Sequence, residues 1–300
     1  MEKTVITWSL HDYCKAQCDY CPINSRGGPE PRSVDEYIRV ADLLINSYTI
    51  KQQRKIDWIF NGGEPLDLDY LPQLLKFCKQ ESNHITLHTN GGRLWLDWWA
   101  IEPYIDHINL TFHFWQNPAL IKYITQTFLS KNKNISITSP IRYSNVDLDL
   151  DNVRKLEETI QHKILRTILY VNADRKAGLL PYSNKDLEKI DRANGVIKIE
   201  RPLSPAVEEK KYFQETTWSE RYGKVQLENP SFTGQLCNAG VERLSIGAQG
   251  WVSGSLCNNQ SLGNIWNPGW IPSEGPQVCT MRACVHHDDR LITKFPLPAQ

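Results

Sequence analysis

An α/β fold on a parallel sheet is predicted by three observations. Strand-like and helix-patterned segments alternate six times, the connections are short, and polar residues collect where the strands end. Each parallel crossover needs a covering helix, so six units in succession imply one sheet walled by helices. With 300 residues, 40% of them apolar and ten Trp, the chain can form one large domain or one domain with an appendage.

Residues 4–10 read as the first strand. From its C-terminal end, where barrel enzymes keep their chemistry, it delivers the loop Cys14-Lys-Ala-Gln-Cys18-Asp-Tyr20-Cys21. Ser33 with Glu36 three residues on is a capping-box pattern, and Val34, Ile38, Ala41, Leu44 and Ile45 give the following helix its apolar face. Residues 56–60 form the second strand, ending in Asn61-Gly62-Gly63-Glu64-Pro65. A helix over 68–80 leads to a third strand from His84, which ends in His88-Thr89-Asn90-Gly91. Trp95, Trp98 and Trp99 fall at i, i+3, i+4 spacing, the packing face of a short helix, with a substrate wall as the second reading.

The fourth strand covers 107–112 and runs out into His113-Phe114-Trp115. A helix over 118–129 follows, then a fifth strand over 135–139 that exits through Pro140 to Arg142. A helix over 150–162 precedes the sixth strand, 164–171, ending at Asn172. Thr111, His113, Arg142 and Asn172 thus stand at strand ends, where a polar side chain faces a site rather than a core. Residues 184–194 read as a helix stopped by Gly195, and 196–199 as a strand. Residues 202–218 mix charge and proline: a connector closing over the mouth of the sheet, or a linker.

Three thiols within eight residues form an incomplete ligand set. Structural zinc takes four closed ligands, whereas a four-iron cluster held by three thiolates keeps one iron open; a zinc knuckle is the alternative. The paired glycines of GGEP let backbone approach a ligand closely, and Pro65 stiffens the exit.

C-x3-C-x2-C with Tyr20 before the last cysteine, GGEP after the second strand and TNG after the third together resemble the radical SAM enzymes. The resemblance implies a partial (β/α)6 TIM-like barrel over 1–200, a connector over 201–235 and a second module over 236–300. It implies a [4Fe–4S] cluster on Cys14, Cys18 and Cys21. The open iron would chelate S-adenosylmethionine (SAM), whose reductive cleavage yields a 5′-deoxyadenosyl radical that abstracts hydrogen. Tyr20, Gly62, Gly63, Glu64, Asn90, Thr111, Arg142 and Asn172 fall at the cofactor-binding positions. Among these Thr111 and Arg142 lie by the SAM carboxylate and Asn172 by the ribose. Glu64 and His113 are the candidates for catalysis; His113 has a scaffold role as its alternative.

Cys237, Cys257, Cys279 and Cys284 lie in a Gly- and Asn-rich segment around a hairpin turning at Gly247 to Gly250. Four thiols suit a closed site, and the segment is similar to the Twitch or SPASM extensions that hold auxiliary [4Fe–4S] clusters. Six residues separate Gly250 from Cys257 where the family's C-x(9–15)-G-x4-C pattern has four, and zinc stays open as the occupant. Cys78 is left over on a helix covering the sheet, where a thiol behaves as a small apolar group. Radical epimerases need a thiol beside the substrate, so this position disfavours epimerisation.

Thirty-four basic residues balance thirty-four acidic ones, so no global field recruits nucleic acid or an anionic membrane. No apolar stretch reaches the roughly 20 residues of a spanning helix, and eight cysteines without a secretory signal fit reduced thiols in a cytoplasmic protein. The resemblance implies modification of a ribosomally made peptide, by crosslink formation or backbone cleavage or rearrangement. Its alternatives are dehydrogenation or epimerisation of an aminocyclitol or sugar, and a non-catalytic iron–sulfur protein. Three residues precede the first strand, so a separate leader-recognition protein, or residues 202–235, is expected to hold a peptide's leader. An external donor such as flavodoxin or ferredoxin would supply the electron.

Overall fold

The structure, a computed structural model, describes residues 2–16, 18, 21, 31–79, 83–92, 95–168, 182–195, 232–256, 261–281, 284 and 288–296. Six strands pair in chain order, every pair parallel: β1 (Lys3–Ser9), β2 (Lys55–Asn61), β3 (His84–Thr89), β4 (His107–Thr111), β5 (Asn134–Ile141) and β6 (Ile164–Ile168). Between them run α1 (Val34–Leu44), α2 (Leu71–Cys78), α3 (Trp95–Ile101), α4 (Pro118–Ser130) and α5 (Val146–Ile160), and α6 (Asn184–Ala193) follows. The arrangement is an open partial barrel of α/β class.

Parallel strands covered on both faces are apolar along their whole length, but these alternate. Ile56, Trp58 and Phe60 of β2 are fully buried, as are Ile85 and Leu87 of β3 and Ile108 and Leu110 of β4. They form one core with Val40 and Leu44 of α1, Leu74 and Leu75 of α2 and Ile121 and Phe128 of α4. The intervening residues, among them Asp57, Asn61, Thr86, His88, Asn109 and Thr111, lie half-buried on the opposite, polar face.

Several elements depart from the expected bounds. The Ser33–Glu36 capping box forms, but Tyr37 and Val40 bury more fully than Val34 and Ile38, and a π-helical turn over Ile45–Lys51 prolongs α1. α2 starts late because Glu64 caps a 3-10 turn over Pro65–Asp67. α5 starts early, at Val146, with Asp147 and Asp149 in its first turn, where they favour the helix dipole. Pro140 lies inside β5: the pairing with β4 ends at Thr138, so no β4 partner is denied a donor. Of the three tryptophans, Trp98 is buried, whereas Trp99 is 60% exposed and packs edge-on to Tyr123. The expected strand over 196–199 and the stretch 202–218 lie outside the described residues.

The C-terminal segment continues the same sheet. β8 (Arg243–Ile246), which follows β7 (Leu236–Cys237), pairs parallel to β1. The hairpin to β9 (Trp251–Ser253) turns at Gly247 and Gly250 as predicted, and β10 (Ser261–Asn264) forms the edge. A second, three-stranded sheet sets β7 between β11 (Gln277–Val278) and β12 (Lys294–Phe295). Among the described residues no helix is long and apolar enough to cross a membrane.

The buried hydroxyl of Tyr48 donates to the carbonyl of Gly240, joining the π-helical turn to the C-terminal segment. Tyr48→Phe leaves that carbonyl without its donor and should cost about 1–2 kcal/mol in urea denaturation. An unchanged midpoint would show that the junction is held by the strand pairing alone.

Candidate active site

The loop after β1 and the loop after β2 are stitched together backbone to backbone. Gly63 N donates to His11 O at 2.6 Å and Glu64 N to Tyr13 O at 2.9 Å. Only glycine fits there: a Cβ on Gly63 would stand 1.7 Å from the Tyr13 carbonyl oxygen, and Gly62 takes a φ of +139°. The chain approached so closely by GGEP is therefore the cysteine loop itself. Two further contacts fix that loop: Tyr13 N donates to His11 Nδ1 at 3.1 Å, and Lys15 N donates to Asp67 Oδ2 at 3.1 Å. Cys14, Cys18 and Cys21 are all half-buried.

Glu64 is 3% exposed and joins the second loop to the third. Its Oε1 accepts from Leu66 N at 3.0 Å and from the Thr89 hydroxyl, and its Oε2 accepts from Asn90 N at 2.8 Å. Burial pushes its carboxyl up to about 7, against the opposing pull of those three donors. Asn90 in turn points Nδ2 at the sulfur of Cys14, 3.8 Å away. The buried Gln116 donates through Nε2 to the Asn90 carbonyl, and its Oε1 accepts from His113 N at 2.6 Å. A continuous hydrogen-bonded path thus runs from the end of β4 to the cysteine loop.

The strand-end residues are placed as follows. Thr111 ends β4 on the polar face, in register with Thr138. The His113 ring stacks on Trp115 at 5.3 Å, and burial pulls its pKa down to about 4, so it is neutral at neutral pH. Arg142 lies over the Phe114 ring at 3.5 Å, and its Nε donates to Oδ2 of the buried Asp149 at 2.9 Å. Tyr20 and Asn172 lie outside the described residues. Gln116, His11 and Asp149 carried no signal in the sequence beyond residue type, and Thr89 was marked only as part of the TNG that ends β3.

Cys237, Cys279 and Cys284 are each buried, and the first two share a cluster with Ala239 and Ile292 against which Phe232 and Met281 pack. Cys257 lies outside the described residues. Thr4 Oγ1 donates to Val241 O at 2.7 Å and Val5 N to Glu242 O at 2.8 Å, so this segment meets β1 at the end away from Cys14. Cys78 is fully buried on the helix side of the sheet, and burial pushes its thiol up. Among the described residues no three Cys, His, Asp or Glu side chains converge within joint reach of a metal ion. The donor chemistry of the first loop nonetheless fits an iron–sulfur cluster: three thiols on one anchored turn, with an amide directed at one of them.

Gly63→Ala should destabilise the protein by about 3 kcal/mol or more, because backbone rather than a side-chain tip must yield. Chemical denaturation reads this, and a loss under 1 kcal/mol (on the order of a surface change) would mean the two loops separate freely. For Glu64 the folded state favours the proton, so its contribution is present below its ordinary 4.5 and is lost as pH rises through about 7. Across that window the wild type should lose up to about 3 kcal/mol relative to Glu64→Gln, measured as urea midpoints at both ends. Parallel profiles would contradict a protonated Glu64.

Residues 8–128 match the model of the Radical SAM superfamily. No curated protein matches the chain. Among solved structures it is similar to Streptococcus suis SuiB bound to S-adenosylmethionine, with 13% identity and a TM-score of 0.54, covering 90% of this chain and 65% of that one. SuiB bound to the precursor peptide SuiA gives 13% identity, a TM-score of 0.54 and coverage of 89% and 63%. A third, anSMEcpe with bound AdoMet, gives 14% identity, a TM-score of 0.53 and coverage of 89% and 75%. At these identities the likeness to solved structures is one of fold. Residues 8–128 form a Radical SAM superfamily domain.

Proposed function

We propose that this enzyme modifies a ribosomally synthesised peptide, forming a crosslink or cleaving or rearranging the backbone, with SAM bound at the strand ends beside Cys14, Cys18 and Cys21. The observation that carries the reading is the stitching of GGEP to the cysteine loop, with Asn90 brought onto Cys14. The superfamily implies SAM and a [4Fe–4S] cluster, which Cys14, Cys18 and Cys21 would hold. When bound, that pair supplies a carbon radical able to abstract a hydrogen atom.

The chain's own residues position and exclude. Gly62 and Gly63 leave the loop surface without side chains, so the methionine part of SAM can lie against backbone. Glu64, occupied by three donors, acts by locking the loops around the cofactor rather than by touching it. Thr111 offers a hydroxyl to the SAM carboxylate, and Arg142, held by Asp149, adds its charge nearby. Tyr20 and Asn172 complete the cofactor contacts in this reading. A neutral His113 stacked on Trp115 holds a substrate group by hydrogen bonding rather than by charge.

A peptide is favoured by two facts: the polar face presents donors and acceptors along β2 to β5, and a protein of this fold has been seen with its precursor peptide. Cys78, sealed on the helix side, cannot return a hydrogen atom to substrate, which argues against epimerisation. Cys237, Cys257, Cys279 and Cys284 would hold an auxiliary [4Fe–4S] cluster. A separate recognition protein would bind the leader, and flavodoxin or ferredoxin would deliver the electron.

Anaerobic reconstitution should give about eight irons per chain for two four-iron clusters. A value near four, with zinc bound, would replace the auxiliary cluster by a zinc site. Changing Cys14, Cys18 and Cys21 to Ala should abolish 5′-deoxyadenosine formation from SAM and dithionite; persistence of that product would overturn the cofactor assignment. Co-production with a precursor peptide encoded beside the gene should yield a peptide of changed mass, and an unmodified peptide would count against the substrate class.

A further inference from the structure

We propose that Asn90 sets the reduction potential of the cluster on the cysteine loop, by donating an N–H from Nδ2 to the sulfur of Cys14. The inference rests on the reading that Cys14 is a cluster ligand. Its own ground is the geometry of one residue whose other polar atoms are all engaged.

Asn90 is 9% exposed, and each remaining polar atom has a partner that turns the side chain one way. Its Oδ1 accepts from Gly92 N at 2.7 Å, which identifies the other side-chain atom as the amide nitrogen. Its N–H donates to Glu64 Oε2 at 2.8 Å, and its carbonyl accepts from Gln116 Nε2. With three atoms fixed, Nδ2 lies 3.8 Å from Cys14 Sγ, within hydrogen-bond reach of sulfur. Gly91 takes a left-handed φ of +71° in the turn that follows, and the short Asn90 side chain carries its amide on a backbone held at both its N–H and its carbonyl.

Hydrogen bonds to cluster sulfurs are among the levers that set iron–sulfur potentials. An N–H aimed at a thiolate sulfur stabilises the state with more negative charge on the cluster, the reduced one. A donor here therefore raises the potential and makes the cluster easier to reduce. Glu64 and Gln116 are positioning residues for this amide: they touch its backbone, not the sulfur.

The test compares Asn90→Asp and Asn90→Ala with the wild type, each reconstituted anaerobically, by redox titration monitored through the electron paramagnetic resonance signal of the reduced cluster. Asp keeps the shape and the acceptor for Gly92 N while removing the donor; Ala removes the donor without adding charge. Both should move the midpoint to more negative potential, the Ala variant by about 59 mV, equivalent to a tenfold lower reduced-to-oxidised ratio at fixed poise. Asp should move it further. A shift in Asp alone would assign the effect to charge and overturn the hydrogen bond. Unchanged midpoints in both, or loss of iron from both, would equally overturn it, the second by placing Asn90 in holding the loop. Iron retained after Cys14, Cys18 and Cys21 are changed to Ala would instead refute the cluster assignment itself, a separable failure.

Discussion

The contact on which the site depends is the approach of Gly63 to the Tyr13 carbonyl, closer than any side chain allows. Hydrogen bonds on either side of it, from Gly63 N and Glu64 N, continue the pairing of β1 with β2 beyond the strands themselves. The cysteine loop is thereby made an extension of the sheet. Its position inherits the rigidity of a core in which Ile6, Trp8, Trp58 and Phe60 are fully buried.

From that contact the order propagates across the strand ends. Glu64 carries it to Thr89 and Asn90, Gln116 carries it to His113, and each step uses a buried polar group with its partners satisfied. Such networks are costly when broken, because each lost partner leaves a desolvated group behind. A carboxyl raised to about 7 by burial is the sign of that expense here, tolerated because the three donors hold the loops in register.

Much of this architecture was legible in local patterns. Ser33 and Glu36 announced α1, the six strands announced the sheet, and Gly247 with Gly250 announced the hairpin, because caps, alternation and turn residues act over a few positions. What was hidden was non-local. Asn90 meets Cys14 across 76 residues, and β8 joins β1 from the far end of the chain, pairings that no window of sequence reports. The π-helical turn after α1 and the inclusion of Pro140 in β5 were equally hidden, since each is decided by a neighbour: the C-terminal segment at Tyr48 and the earlier end of β4. GGEP was read as a surface for a ligand, and its first demand on glycine proves to be the protein's own backbone.

The one-sided burial of the strands carries a consequence for folding. In a parallel sheet covered on both faces, a strand displaced by one residue still buries apolar groups. Here the same slip in β2 would drive Asp57 and Asn61 into the helix layer and leave Trp58 and Phe60 on the polar side. Mispaired intermediates are thus penalised strand by strand. The face that leaves room for chemistry also proofreads the assembly of the sheet.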